Sequence, residues 1–78
     1  MQQNTKLFAD KLNQSLNDLG VPVNVRERSI IFGRMLHIPK QQAWALLEGH
    51  VFPDDDLLEQ ISVELDVNRE WLLKDDAI

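Results

Sequence analysis

Pro22, Pro39 and Pro53, with Gly20 and Gly49 nearby, divide this chain into pieces too short for any long helix. Proline has no amide hydrogen to donate and pushes the residue before it out of the helical region, so a helix starts at these positions or stops short of them. Between the breaks the apolar residues recur at three- and four-residue spacing. Phe8, Leu12, Leu16 and Leu19 form one such stripe among polar residues, the pattern of an amphipathic helix with one buried face. Asn4 or Thr5 can cap its start, and Gly20 can supply a left-handed end. Asn24 followed by Glu27 has capping-box spacing and opens a second helix. Pro39 fits the opening of a third helix, with Ala43, Leu46 and Leu47 inward and Gly49 as its stop. Leu57, Leu58, Ile61 and Leu65 mark a fourth, and Asn68 caps a fifth with Trp71 and Leu72 inward. The pattern predicts helices at about 5–19, 25–36, 40–48, 55–65 and 68–74 in one all-α domain spanning residues 1–78.

A chain of 78 residues is one domain at most, with a core that leaves about 3 to 5 kcal/mol of net stability. With no cysteine it has neither disulfides nor a thiolate zinc site, and a reducing cytoplasm is the expected compartment. No apolar run approaches the roughly 20 residues that span a bilayer, and no signal peptide is expected at the N-terminus. Ser15, Ser29 and Ser62 lack a nucleophile motif, and no acid, base and nucleophile set converges, so an enzyme is not expected. His37 and His50 have no evident third ligand, and the run Asp54–Asp56 lacks the alternation and glycine of a calcium loop. Capping of the fourth helix is the better reading of those aspartates, and no metal or other cofactor is expected.

The segment around His37-Ile38-Pro39 carries the functional signal. Two short helices packed at a steep angle need a small residue where their backbones meet and apolar residues on both inner faces. Gly33 is that small residue; Ile30, Phe32, Leu36, Ile38, Ala43 and Leu46 are the apolar set. This is the pattern of a helix-turn-helix, and also of a tight helical hairpin in other small α proteins.

Arg28 to Leu36, then Leu46-Leu47-Glu48-Gly49, then Pro53 with Leu57-Leu58-Glu59-Gln60-Ile61, and finally Asp66-Val67-Asn68-Arg69-Glu70-Trp71-Leu72-Leu73 together resemble the small domain of lambdoid phage repressors, Cro proteins and the wider xenobiotic-response-element family of bacterial regulators. The resemblance runs from Leu7 to Lys74, and its closing segment is the most specific part. It implies a lambda-repressor-like bundle of five helices that binds a palindromic operator in double-stranded DNA as a homodimer. By the same resemblance Lys40, Gln41, Gln42, Trp44 and Ala45 lie on the outward face of a recognition helix. Gln41 or Gln42 then reads adenine, and Lys40 reaches guanine or a phosphate. Arg28 and Ser29 fall on the DNA backbone, where contacts set register without reading sequence. His50 joins that surface. Leu73 and Ile78 are the expected subunit contacts.

Three positions depart from the family pattern. His37 stands in the turn where glycine is usual, and a left-handed conformation there costs about 1 kcal/mol. Pro39 replaces a Ser or Thr cap. The loop after the third helix, Gly49-His50-Val51-Phe52-Pro53, is apolar where the family is often basic. Trp44 has two further readings, as a protein-partner anchor or as a cover over Leu47 at the core edge. Val51 and Phe52 are read mainly as a staple for their loop. An alternative function follows: a protein-interaction module, such as an adaptor, antirepressor or antitoxin-like protein, with an apolar surface around Trp44 and Phe52.

The formal charge of −5 opposes DNA binding only if it is evenly spread. Residues 26–40 carry Arg26, Arg28, Arg34 and Lys40 against Glu27, a local +3, whereas residues 48–66 hold seven acids and no base. The expected molecule is sharply sided, with its positive end at the start of the helix-turn-helix pattern.

Overall fold

Four of the five predicted helix starts carry a side-chain cap in the computed structural model, which describes residues 4–74. The helices are α1 (Thr5–Asp18), α2 (Val25–Leu36), α3 (Lys40–Leu47), α4 (Asp55–Leu65) and α5 (Arg69–Leu73). The Asn4 side chain accepts from the Leu7 amide, Asn24 from Arg26 and Glu27, Asp54 from Leu57 and Asn68 from Glu70. Each satisfies amides that the first helical turn leaves without a partner. Gly20 and Gly49 end α1 and α3 with φ of +81° and +79°, the left-handed region open to glycine. Alone among the five, α3 has no side-chain cap, because Pro39 stands at that position.

The inward stripes meet in one core. Phe8, Leu12 and Leu16 of α1 face Phe32 and Leu36 of α2, Leu46 of α3, Leu58 and Ile61 of α4 and Leu72 of α5, all nearly inaccessible to solvent. The most extensive packing joins α2 to α3; α1 lies against α3 and α5, and α4 against α2 and α5. The Cα radius of gyration, 11.5 Å, is what a folded chain of this length adopts, about 11 to 12 Å. The described residues therefore form a compact five-helix all-α bundle, with no strand among them.

Phe52, expected on a partner surface, is half-buried and packs against this core. Its ring centroid lies 4.7 Å from that of Phe8 at an interplanar angle of 49°, and it packs on the buried cluster. Pro53 beside it is buried, so the loop after α3 is pinned by its own apolar residues. Val51 remains 41% exposed and contributes little to that staple. Leu73 is exposed on α5, whereas Ile78 lies outside the described residues.

Candidate nucleic-acid interface

The α2–α3 pair owes its geometry to Gly33. A Cβ built on this residue meets the Ile38 carbonyl oxygen at 2.9 Å and the Lys40 Cα at 3.5 Å, so only glycine allows the two backbones so close. The Ile38 amide donates to the Gly33 carbonyl at 2.9 Å, closing the end of α2. His37 turns the chain in the left-handed region, with φ +59° and ψ +43°. The turn is therefore built as it would be with glycine, and His37 bears the strain. From α4, the Gln60 Nε2 donates to the Leu36 carbonyl at 2.8 Å and holds the last turn of α2 in place.

With Ala43, Leu46 and Leu47 facing the core, α3 turns Lys40, Gln41, Gln42 and Trp44 to solvent, with Ala45 half-buried between them. Trp44 is 42% exposed, and its ring sits 5.0 Å from the exposed His50 ring at an angle of 39°. Between the start of α2 and the outward face of α3 lies a cleft of about 260 Å³, lined by Val25, Arg26, Ser29, Lys40, Gln41 and Trp44. The cleft thus joins an apolar wall to two cations and an amide. Glu48, exposed at the end of α3, is an acid close to this surface.

Arg28 does not lie on this surface. It is 2% exposed, and its guanidinium makes five hydrogen bonds. Nε donates to the Pro22 carbonyl at 2.9 Å, Nη1 to the Asn13 carbonyl at 3.2 Å and its Oδ1 at 3.1 Å, and Nη2 to the Asn17 Oδ1 at 2.7 Å and the Val21 carbonyl at 2.8 Å. These acceptors occupy the donors that a phosphate would need, and burial lowers the guanidinium pKa from its ordinary value. Asn13 extends the network by donating to the Leu47 carbonyl at 3.1 Å, so Arg28 ties α1, the extended link and α3 together. Ser29 is 4% exposed, and its hydroxyl donates to the Val25 carbonyl at 2.7 Å. Although Ser29 borders the cleft, both predicted backbone contacts serve the fold. The withdrawal follows from helix phase: positions 28 and 29 share the inward side of α2 with Phe32, Gly33 and Leu36.

Two other cations, Arg26 and Lys6, are exposed. Arg26 is exposed on the first turn of α2 and lines the cleft. Lys6 of α1 lies against the loop after α3: a Cβ on Gly49 would approach its Cδ to 3.1 Å and its Cα to 3.2 Å. The loop has no base of its own, so Lys6 supplies positive charge beside it. Helical periodicity marks Lys6 only as exposed, and the approach of α1 to this loop is tertiary.

No group of three potential metal ligands occurs among the described residues, and none of their helices is long and apolar enough to cross a membrane. Comparison with family models, curated protein sequences and solved structures gives no match, so the functional reading rests on these residues and their geometry.

Proposed function

We propose that α2 and α3 form a helix-turn-helix, and that the protein is a DNA-binding transcriptional regulator of the phage repressor and Cro type, working in the cytoplasm as a dimer. The observation that carries this reading is the outward face of α3. Lys40, Gln41, Gln42 and Trp44 are exposed together on a short helix whose angle to α2 is set by Gly33. A helix of this width enters the major groove, where glutamine pairs with adenine and lysine with guanine, while an apolar wall accepts the thymine methyl group. Arg26 and Lys6 flank that face at positions suited to phosphate, and they replace Arg28 and Ser29 in that role.

The test is titration of the full chain with a random-sequence duplex at about 20 mM salt, where screening is weak, followed through backbone amide shifts. Shifts centred on Lys6, Arg26, Lys40, Gln41 and Trp44 are expected. No response, or shifts spread over α4, rejects the reading. The exposed apolar side chains Val25, Trp44 and Val51 favour one alternative, a protein-interaction module on the same face. An absent response to duplex at low salt is the result that selects it.

A further inference from the structure

The outward face of α3 is aimed only as well as the two ends of that helix are held. Its first end, which has no side-chain cap, is fixed against α2 where the Lys40 backbone passes Gly33. Its last end leaves four carbonyls without a partner inside the helix. Those of Trp44, Ala45 and Leu46 accept from the amides of Glu48, His50 and Gly49 at 2.9, 2.9 and 3.3 Å. The fourth, of Leu47, accepts from the Nδ2 of Asn13 on α1 at 3.1 Å.

Every group of the half-buried Asn13 side chain is committed. Its Oδ1 accepts from the Arg28 Nη1 at 3.1 Å, and its Nδ2 donates to the Ala9 carbonyl at 2.9 Å as well as to Leu47. A guanidinium offers only donors and a carbonyl only acceptors, so turning this amide over would set donor against donor and oxygen against two oxygens. Arg28 is itself held by acceptors on α1 and the extended link. It therefore selects the one amide orientation that presents a donor to α3, and by polarising the amide it strengthens that donor. The apolar contacts of Ala43, Leu46 and Leu47 keep α3 on the core but are non-directional, whereas this bond has a direction.

We propose that Asn13, oriented by Arg28, is a positioning residue for α3. It holds the C-terminal end of that helix while Gly33 holds the other, and so fixes the direction in which Lys40, Gln41, Gln42 and Trp44 are presented. Asn13 acts through the helix, since its own donors are spent inside the fold. Its consequence for base reading rests on the DNA function proposed above; its effect on the direction of α3 does not. Base-edge contacts need close placement, whereas long exposed cations follow phosphates through a small tilt. Loosening this end therefore lowers discrimination between sequences more than it lowers affinity for DNA in general.

The experiment compares two substitutions in the full chain. Asn13→Asp keeps an acceptor for Arg28 and replaces both donors by oxygen. Asn17→Asp is its control: it puts the same charge beside the same guanidinium, where the Asn17 Oδ1 accepts from Nη2 at 2.7 Å. Residual dipolar couplings of the backbone amides give the direction of α3 in the free protein, and titrations use a duplex selected by the parent protein and a random one. In Asn13→Asp, α3 takes a new direction relative to α1 and α2, and the ratio of selected to random affinity falls about tenfold, the order of one misplaced base contact. Asn17→Asp keeps the parent direction and the parent ratio, with the same salt slope on random duplex as Asn13→Asp. Asn13→Ser, neutral and too short to reach Leu47, behaves as Asn13→Asp and replaces it where the added charge unfolds the chain. The parent direction of α3 in both Asn13 variants, an equal change in Asn17→Asp, or a lower urea midpoint with direction and ratio unchanged each overturns the proposal. Should the parent protein bind no duplex, the DNA function fails, and the couplings alone decide the role of Asn13.

Discussion

Arg28 and Lys40 look alike in the sequence, as cations at the starts of consecutive helices, but their side chains meet opposite environments. Arg28 satisfies four oxygens of α1 and the link that follows it, along with the Asn17 side chain, from within the protein. Arg28→Ala removes five hydrogen bonds and a buried side chain and is expected to cost about 3 kcal/mol, read from the urea midpoint. Lys40 is exposed and has no such acceptors to satisfy, so Lys40→Ala should change stability by less than about 0.5 kcal/mol. It should nevertheless weaken binding to a selected operator, and unchanged affinity would remove it from the interface. Periodicity alone assigns position 28 to the buried stripe with Phe32 and Leu36. The prior expectation that arginine is exposed hid that assignment, because an arginine is fully buried only where enough acceptors surround it. Those acceptors lie on other segments, which no local pattern brings together.

The helices themselves were legible, and their ends agree with the sequence pattern to within one residue. Caps act within three or four positions, so Asn4, Asn24, Asp54 and Asn68 announce helix starts without tertiary information. Gly33 was also legible, since a helix crossing needs a small residue. Gly33→Ala pits about 1 kcal/mol of gained helix propensity against roughly 1 to 3 kcal/mol of overpacking. The contact is backbone at 2.9 Å and does not yield as a side-chain tip does, so the clash wins. A net loss of about 1 to 2 kcal/mol is expected in chemical denaturation. The attachment of α5 was not legible. Lys11 is 3% exposed and reaches across some sixty residues of sequence to the Trp71 carbonyl of that five-residue helix and the carbonyl of its C-cap Lys74, where a cation also opposes the negative dipole end. Lys11→Met should cost about 2 kcal/mol and release α5 selectively. Faster amide exchange at Trp71 to Leu73 than in α2 would show it, and uniform exchange would refute it.

For the whole molecule, the charge of −5 is a sum over unlike parts. Removing Arg28 from the accessible cations trims the positive end, whereas Lys6 restores one charge beside the loop that lacks a base. If the proposed dimer binds DNA, Lys6, Arg26 and Lys40 of each protomer would give about six phosphate contacts, and the expected log-log salt slope is near −5. A slope shallower than about −2 would mean that these cations do not neutralise phosphates. The acidic end is partly compensated on the surface, where Arg69 bridges Asp55 and Glu59 at 3.2 Å each. Such exposed pairs contribute little stability, about 1 kcal/mol or less.

Helix number, helix limits and the buried apolar stripes follow from interactions within a few residues along the chain: caps, proline restrictions and the 3.6-residue period. They can therefore be read in order from the sequence. Which cations reach solvent, where Phe52 finds its partner and how Lys6 comes beside Gly49 depend on contacts between distant segments. Their energies arise only when those segments pack and exclude water, and a local pattern carries no record of which distant groups will be brought together.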